Sequence, residues 1–154
     1  MTASRSAVDL LPHRPPMRLV EEVADLVPGL SARGLRVAHP DDWYFQGHFP
    51  GDPVVPAIVL VELLAQTGGL AAASDGQTAD AGRMLRVAAV GPFKFPGGAR
   101  PHQVLDARAH VVARMRGIVK IEGEVLADGV RVAAGSLTLA DVGRQSAPEG
   151  HRHR

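Results

Sequence analysis

Gly47-His48-Phe49-Pro50-Gly51-Asp52-Pro53-Val54-Val55-Pro56 runs directly into Ala57-Ile58-Val59-Leu60-Val61-Glu62-Leu63-Leu64-Ala65-Gln66-Thr67-Gly68-Gly69-Leu70-Ala71-Ala72-Ala73. The first half cannot be regular structure. Prolines 50, 53 and 56 remove backbone donors and restrict their neighbours, while Gly47 and Gly51 permit tight turns. The second half has helix length and starts just after Pro56, where a helix tolerates proline. Ile58, Val59, Leu60, Val61, Leu63, Leu64 and Leu70 point in nearly every direction around it, which predicts a helix buried on most sides. Glu62 and Gln66 interrupt the run, four positions apart and so on one face. A carboxylate in a buried helix is costly unless it is paired, hydrogen-bonded or protonated. His48 is the nearest rigidly held ionisable group in the sequence, and the two together are a general acid/base pair in outline.

Outward from this stretch the chain reads as β-structure. Residues 18–27 and 32–39 are strand-like, with Pro28-Gly29 as a hairpin signal between them. Residues 41–44 form a short turn or helical piece, with Asp42 either its N-cap or part of an acidic loop. Residues 74–82 are small and polar and read as a mobile loop. In the last third, Leu105, Ala107, Ala109, Val111, Ala113 and Met115 alternate with polar residues, and so do Val119, Ile121, Gly123 and Val125. Arg116-Gly117 and Asp128-Gly129 punctuate these runs, the second being a strong two-residue hairpin cue. The pattern predicts an α+β domain, an antiparallel β-sheet wrapped around one long central apolar helix. Its expected limits are 10–142, between a flexible start at 1–9 and a disordered tail at 143–154.

Composition narrows the function classes. The 154 residues are one domain's worth, 45% hydrophobic and 21% charged, an ordinary globular balance. With no cysteine the chain forms no disulfide or thiolate metal site. The net charge is +1; Arg144, Arg152 and Arg154 against Glu149 give the tail +2, leaving −1 on residues 1–143. No basic stripe points to nucleic acid. The start leads into no long apolar region, and the longest apolar run is broken by Glu62, Gln66 and two glycines, so a cytoplasmic protein without secretory leader or membrane span is expected. His13, His39, His102 and His110 lack metal-ligand spacing, and His151 and His153 read as solvated.

Gly47-His48-Phe49-Pro50-Gly51, Pro56, Glu62 fourteen residues after His48, and Gln66 one turn later resemble the active-site segment of FabZ-type 3-hydroxyacyl-[acyl carrier protein] dehydratases. Leu11-Pro12-His13-Arg14-Pro15-Pro16 resembles that family's N-terminal signature, and Phe93-Lys94-Phe95 the strand after its helix. The similarity covers roughly residues 10–140 and implies the hotdog fold. It also implies reversible dehydration of a 3-hydroxyacyl thioester to the trans-2-enoyl product, in fatty acid or polyketide/polyene biosynthesis. On that reading His48 takes the proton next to the thioester carbonyl, Glu62 protonates the departing hydroxyl, and the N–H of Ala57 holds the carbonyl oxygen. Gln66 orients Glu62 or a water, or satisfies buried backbone. Phe49 and Trp43 are core or tunnel lining, and Phe49 and Gly51 join Ala57 and Gln66 as the substrate-binding set. His13 belongs to the signature and reads as a packing residue. No cofactor and no metal are implied. The implied partners are an acidic acyl carrier protein, docked by Lys94, Arg100, Arg83 and Arg86, and a second copy of the chain. The homodimer, or a trimer of such dimers, would take each site's histidine and acid from different subunits; a related hotdog subunit is the other candidate partner.

The sequence departs from the family at three places. Ala57 stands where glycine is usual, Pro96-Gly97-Gly98-Ala99-Arg100-Pro101-His102 replaces the common continuation, and no gating tyrosine is evident at residues 86–90. Two other readings therefore stand beside the dehydratase: a non-catalytic or partner-dependent subunit of a heteromeric dehydratase, and a hotdog acyl thioesterase.

Overall fold

The computed structural model describes residues 6–73 and 84–142; the anticipated loop at 74–82, Arg83 and the tail at 143–154 lie outside the described residues. Six strands form one antiparallel sheet: β1 (Glu22–Val27), β2 (Ser31–Val37), β3 (Leu85–Lys94), β4 (Val104–Met115), β5 (Ile118–Ala127) and β6 (Val130–Asp141), in the order β1-β2-β4-β5-β6-β3. Among the described residues there is one α-helix, α1 (Ala57–Ala73), cradled by the sheet. None is long and apolar enough to cross a membrane. Short 3₁₀ turns form at Ala7–Leu10 and Trp43–Phe45. Val8 of the first is buried in the core, ahead of position 10 where the sequence places the domain's start.

The hairpins follow the turn chemistry. Asp128 and Gly129 both have positive φ, 46° and 83°, which matches a two-residue turn to the twist of β5 and β6. The inward sides of the strands supply Leu105, Ala107, Ala109, Ile121, Val125, Leu137 and Leu139, which close on Leu63, Leu64 and Leu70 of α1. Helix and sheet meet closely because two glycines leave room. A Cβ at Gly68 would stand 2.8 Å from Ile121 Cγ2, and one at Gly123 2.8 Å from Leu64 Cδ1.

Four features differ from the sequence reading. The helix is not covered all round: Ile58 is 76% exposed, and Val61, Glu62 and Gly69 are only half-buried. One small sheet covers one side of a helix, and this stripe is what it leaves open. The alternation of β4 fails past Val111, where the register shifts; Ala113 and Met115, expected inside, are exposed. Asp106, expected outside, is 8% exposed, because Arg33 folds over it with two hydrogen bonds (2.9 and 2.8 Å) and Arg108 adds a third at 3.0 Å. Burial alone would raise that carboxyl's pKa; the two guanidiniums outweigh it and hold the pKa below the ordinary value. Finally, Asp42 occupies the position before the Trp43–Phe45 turn but makes no capping bond to it.

Candidate active site

The His48 loop is built by its prolines and glycines. Phe49-Pro50-Gly51-Asp52 closes on itself with Phe49 N to Asp52 O at 3.1 Å and Asp52 N to Phe49 O at 2.9 Å. Pro50 supplies the fixed φ of the second position and Gly51, at φ 74°, the left-handed third position that a side chain disfavours. The His48–Phe49 peptide is cis. The loop's far side returns through Val54, whose N–H donates to His48 O at 3.0 Å. In exchange His48 Nδ1 lies 2.9 Å from Val54 O. A carbonyl can only accept, so Nδ1 carries the ring proton and Nε2 presents a lone pair. Phe49 stacks on the imidazole, centroids 4.2 Å apart, yet is itself 55% exposed; Trp43 is likewise exposed, its indole N–H donating to Pro16 O. Neither is core.

Glu62 is held from the opposite side. Gln66 is buried, and its amide makes three bonds: Nε2 to Glu62 Oε1 at 3.0 Å, Nε2 to Met17 O at 2.8 Å, and Oε1 from Leu19 N at 2.9 Å. One amide thus holds the Glu62 carboxyl and two backbone groups of the N-terminal segment at once. A pocket of about 290 Å³ opens beside Glu62, lined on its apolar side by Leu10, Leu11, Ala65, Leu85, Val87 and Leu139. His13 also lines it, with Nε2 3.6 Å from Glu62 Oε1. Sequence reasoning treated His13 as packing; its place in the Leu11-Pro12-His13 signature was the available signal.

A part-buried ion pair joins the two sides of the site. Arg36 donates to Asp42 Oδ1 at 2.7 Å and to Leu19 O at 3.1 Å. Asp42 also accepts from the His39 N–H at 3.0 Å and the Tyr44 hydroxyl at 2.6 Å. Burial chiefly, then the bond to Asp42, pushes the Tyr44 hydroxyl up to about 12. Burial works against the charged form of Asp42, but the bonds from Tyr44 and Arg36 outweigh it and hold that carboxyl low. Through Leu19, whose N–H meets Gln66, this network fixes the backbone from which Glu62 is oriented, and through residues 42–45 it supports the start of the His48 loop.

His48 and Glu62 are not brought together within one chain: neither hydrogen-bonds nor ion-pairs with the other, and His48 does not line the Glu62 pocket. Ala57 opens α1, exposed, and its N–H is one of the first-turn donors without an intrahelical acceptor. The basic residues expected to dock a carrier fall at separate places. Arg100 is exposed and pairs with Asp52 beside the His48 loop at 2.5 Å, Arg86 lines the Glu62 pocket, and Lys94 lines a groove on the sheet's outer face. No cluster of three or more metal-ligating side chains occurs among the described residues.

Comparison with known proteins places this geometry. Residues 11–136 match the family model of the FabA-like domain. A 3-hydroxyacyl-[acyl-carrier-protein] dehydratase FabZ from Chloroflexus aggregans is 36% identical over 120 residues, 78% of this chain and 82% of that one. The FabZ dehydratase of Herpetosiphon aurantiacus is 35% identical over 133 residues, 86% and 93% of the two chains. Among solved structures, the dehydratase heterocomplex ApeI:P from Xenorhabdus doucetiae superposes with a TM-score of 0.76 at 17% identity, covering 90% of this chain and 91% of that one. A homologue of HP0420 from Helicobacter felis superposes at 0.68 with 15% identity, covering 96% of each. The fold is the hotdog fold, one helix wrapped by an antiparallel sheet, and by the extent of these matches the chain belongs to the FabA-like dehydratase family.

Proposed function

We propose that this chain is a 3-hydroxyacyl-[acyl-carrier-protein] dehydratase of fatty acid biosynthesis, working as a homodimer with two shared sites. The observation that carries the reading is the orientation of His48: its Nδ1 proton is committed to Val54 O, so Nε2 is left as the base. In the dehydration direction Nε2 takes the proton from the carbon next to the thioester carbonyl. The electron pair of that C–H bond forms the new double bond as the C–O bond at the third carbon breaks. Glu62 gives its proton to the departing hydroxyl, which leaves as water, and return of one proton from His48 to Glu62 resets the pair. The negative charge that builds on the carbonyl oxygen falls to the Ala57 N–H at the positive end of α1. Hydration is the same path reversed.

The dimer supplies what one chain lacks. Glu62 shares the uncovered stripe of α1 with Ile58 and Val61, and the edge strand β3 leaves Val87 and Val90 exposed. Apolar edges of this kind invite pairing with another chain, and a two-fold partner sets the same surface against itself. A second helix packed on that stripe brings the His48 loop of one subunit to Glu62 of the other. The test is the purified chain alone with crotonyl thioester, following loss of the enoyl absorbance and identifying the 3-hydroxyacyl product. No hydration by the wild type under conditions where it is dimeric overturns the reading; hydrolysis to free acid and thiol would instead make it a thioesterase.

A further inference from the structure

The pocket beside Glu62 contains an ionisable group that the dehydration step above leaves idle. His13 Nε2 stands 3.6 Å from Glu62 Oε1, just outside hydrogen-bond range and within reach of a small side-chain adjustment. The other ring nitrogen, Nδ1, is buried and has no hydrogen-bond partner among the described residues. A proton there would be a buried N–H without an acceptor, costlier than a bare lone pair, so the ring proton belongs on Nε2, on the side of the carboxyl. The segment presenting the ring is fixed on both flanks. The Arg14 guanidinium donates to Leu11 O at 2.9 Å and His13 O at 2.8 Å, and Gln66 grips Met17 O and Leu19 N.

We propose that His13 is a positioning residue for the reaction: its Nε2–H closes on Glu62 Oε1 as the carboxyl gives up its proton. Gln66 Nε2 already donates to that same oxygen at 3.0 Å. Two donors converging on Oε1 make it the oxygen that accumulates charge and leave Oε2 to carry and deliver the proton. The contribution lies in the proton-transfer step and not in substrate binding, so it falls on kcat. The inference rests on the dehydratase reading, but the contact itself is measurable without turnover.

The geometry of the ring gives a sharp test. Glutamine places its amide nitrogen at the ε position, where His13 Nε2 now sits; asparagine places its only donor at the δ position, on the closed side. His13→Gln is expected to stay within a few-fold of wild-type kcat, and His13→Asn to lose roughly 10–100-fold with KM little changed, the loss of one hydrogen bond to a charged group. Losing a donor to the carboxylate makes Glu62 hold its proton more tightly. The alkaline limb of dehydration, which needs the protonated acid, should therefore move to higher pH in His13→Asn. Among the described residues, the ionisable groups that line the pocket with Glu62 are His13 from the N-terminal segment and Arg86 from β3, while β6 contributes Leu139 and α1 adds Ala65, Gln66 and Gly69; in the proposed dimer His48 of the second copy joins them. Arg86→Gln is thus the control for a merely electrostatic neighbour. Carbon-13 NMR of the Glu62 carboxyl, compared between wild type and His13→Asn, reads the same shift without substrate. If the two His13 variants are equally active while folded, or if the Glu62 titration is the same in wild type and His13→Asn, the proposal is overturned. If that titration moves but the wild type hydrates no enoyl thioester, the contact stands and the dehydratase reading is what fails.

Discussion

Gln66 Nε2 donates to Glu62 Oε1 at 3.0 Å while the other end of the same amide accepts the Leu19 N–H at 2.9 Å. One buried side chain thus orients the acid and anchors the N-terminal segment to the helix. Gln66→Leu keeps the volume and removes all three bonds, leaving the buried Leu19 N–H unpaired at about 1–3 kcal/mol and the part-buried Met17 carbonyl without its donor. A drop in thermal stability is expected, together with lower kcat from a freely rotating Glu62. An unchanged melting curve would show that Met17 O and Leu19 N find other partners.

In the homodimer proposed above, with Glu62 and His48 of different subunits sharing each site, single-site variants should complement one another. His48→Ala and Glu62→Gln are each expected to fold and to be nearly inactive. Co-expressed, random reassortment makes about half the dimers mixed, each with one intact site of two, so about a quarter of wild-type activity should return. Verified mixed dimers with no recovered activity would place the acid and base within a single subunit after all.

The oxyanion role proposed for the Ala57 N–H has a direct test. Ala57→Pro deletes the N–H at a helix start that otherwise accepts proline, and should lower turnover roughly 10²–10³-fold. Ala57→Gly keeps the donor and should remain active. Full activity in a folded Ala57→Pro protein would remove position 57 from the mechanism.

The Asp42–Arg36 pair makes stability depend on acid. The Asp42 carboxyl is held below its ordinary pKa of 3.8, so in this range the unfolded chain binds more protons than the folded one. The pair's contribution is fully present above the ordinary value and is lost as pH falls through the lower folded value. Asp42→Asn leaves the part-buried Arg36 without its charged partner and should lower stability near neutrality. It should also flatten the stability–pH curve below 3.8. Denaturant titrations of both proteins at neutral and acidic pH check the sign; parallel curves would mean Asp42 does not titrate with unfolding.

Carrier docking by the expected basic residues would rest on exposed charge and should therefore respond to salt. With Arg100 and Lys94 on the surface, the kcat/KM for a carrier-linked substrate should fall with ionic strength while that for a small thioester barely changes. Arg100→Glu should deepen the loss for the carrier-linked substrate alone. Equal salt sensitivity for both substrates removes the docking surface.

How much of this was legible in the sequence follows from the range of the forces involved. The loop at 47–56 is dictated locally, by three rings that fix φ and two residues without a side chain, and the hairpins at Gly29 and Gly129 are dictated the same way. The period-two alternation of β5 and the apolar length of α1 fixed the layers, because burying those residues admits few arrangements. Three things depended on side-chain contacts that no local pattern of residues shows. Asp106 is buried because Arg33, on a strand that only the fold places beside it, supplies two bonds to it. Asp42 is claimed by Arg36 and Tyr44, and so does not cap its own turn. His13 stands 3.6 Å from Glu62 on a segment that Gln66 ties to the helix at Met17 and Leu19. The sequence alone determined that a stiff loop carrying His48 leads into an apolar helix carrying Glu62, since stiff turns and apolar runs are encoded in consecutive positions. Tertiary structure decided which side chains meet, since a hydrogen bond acts over about 3 Å and the chain must fold before such distances exist.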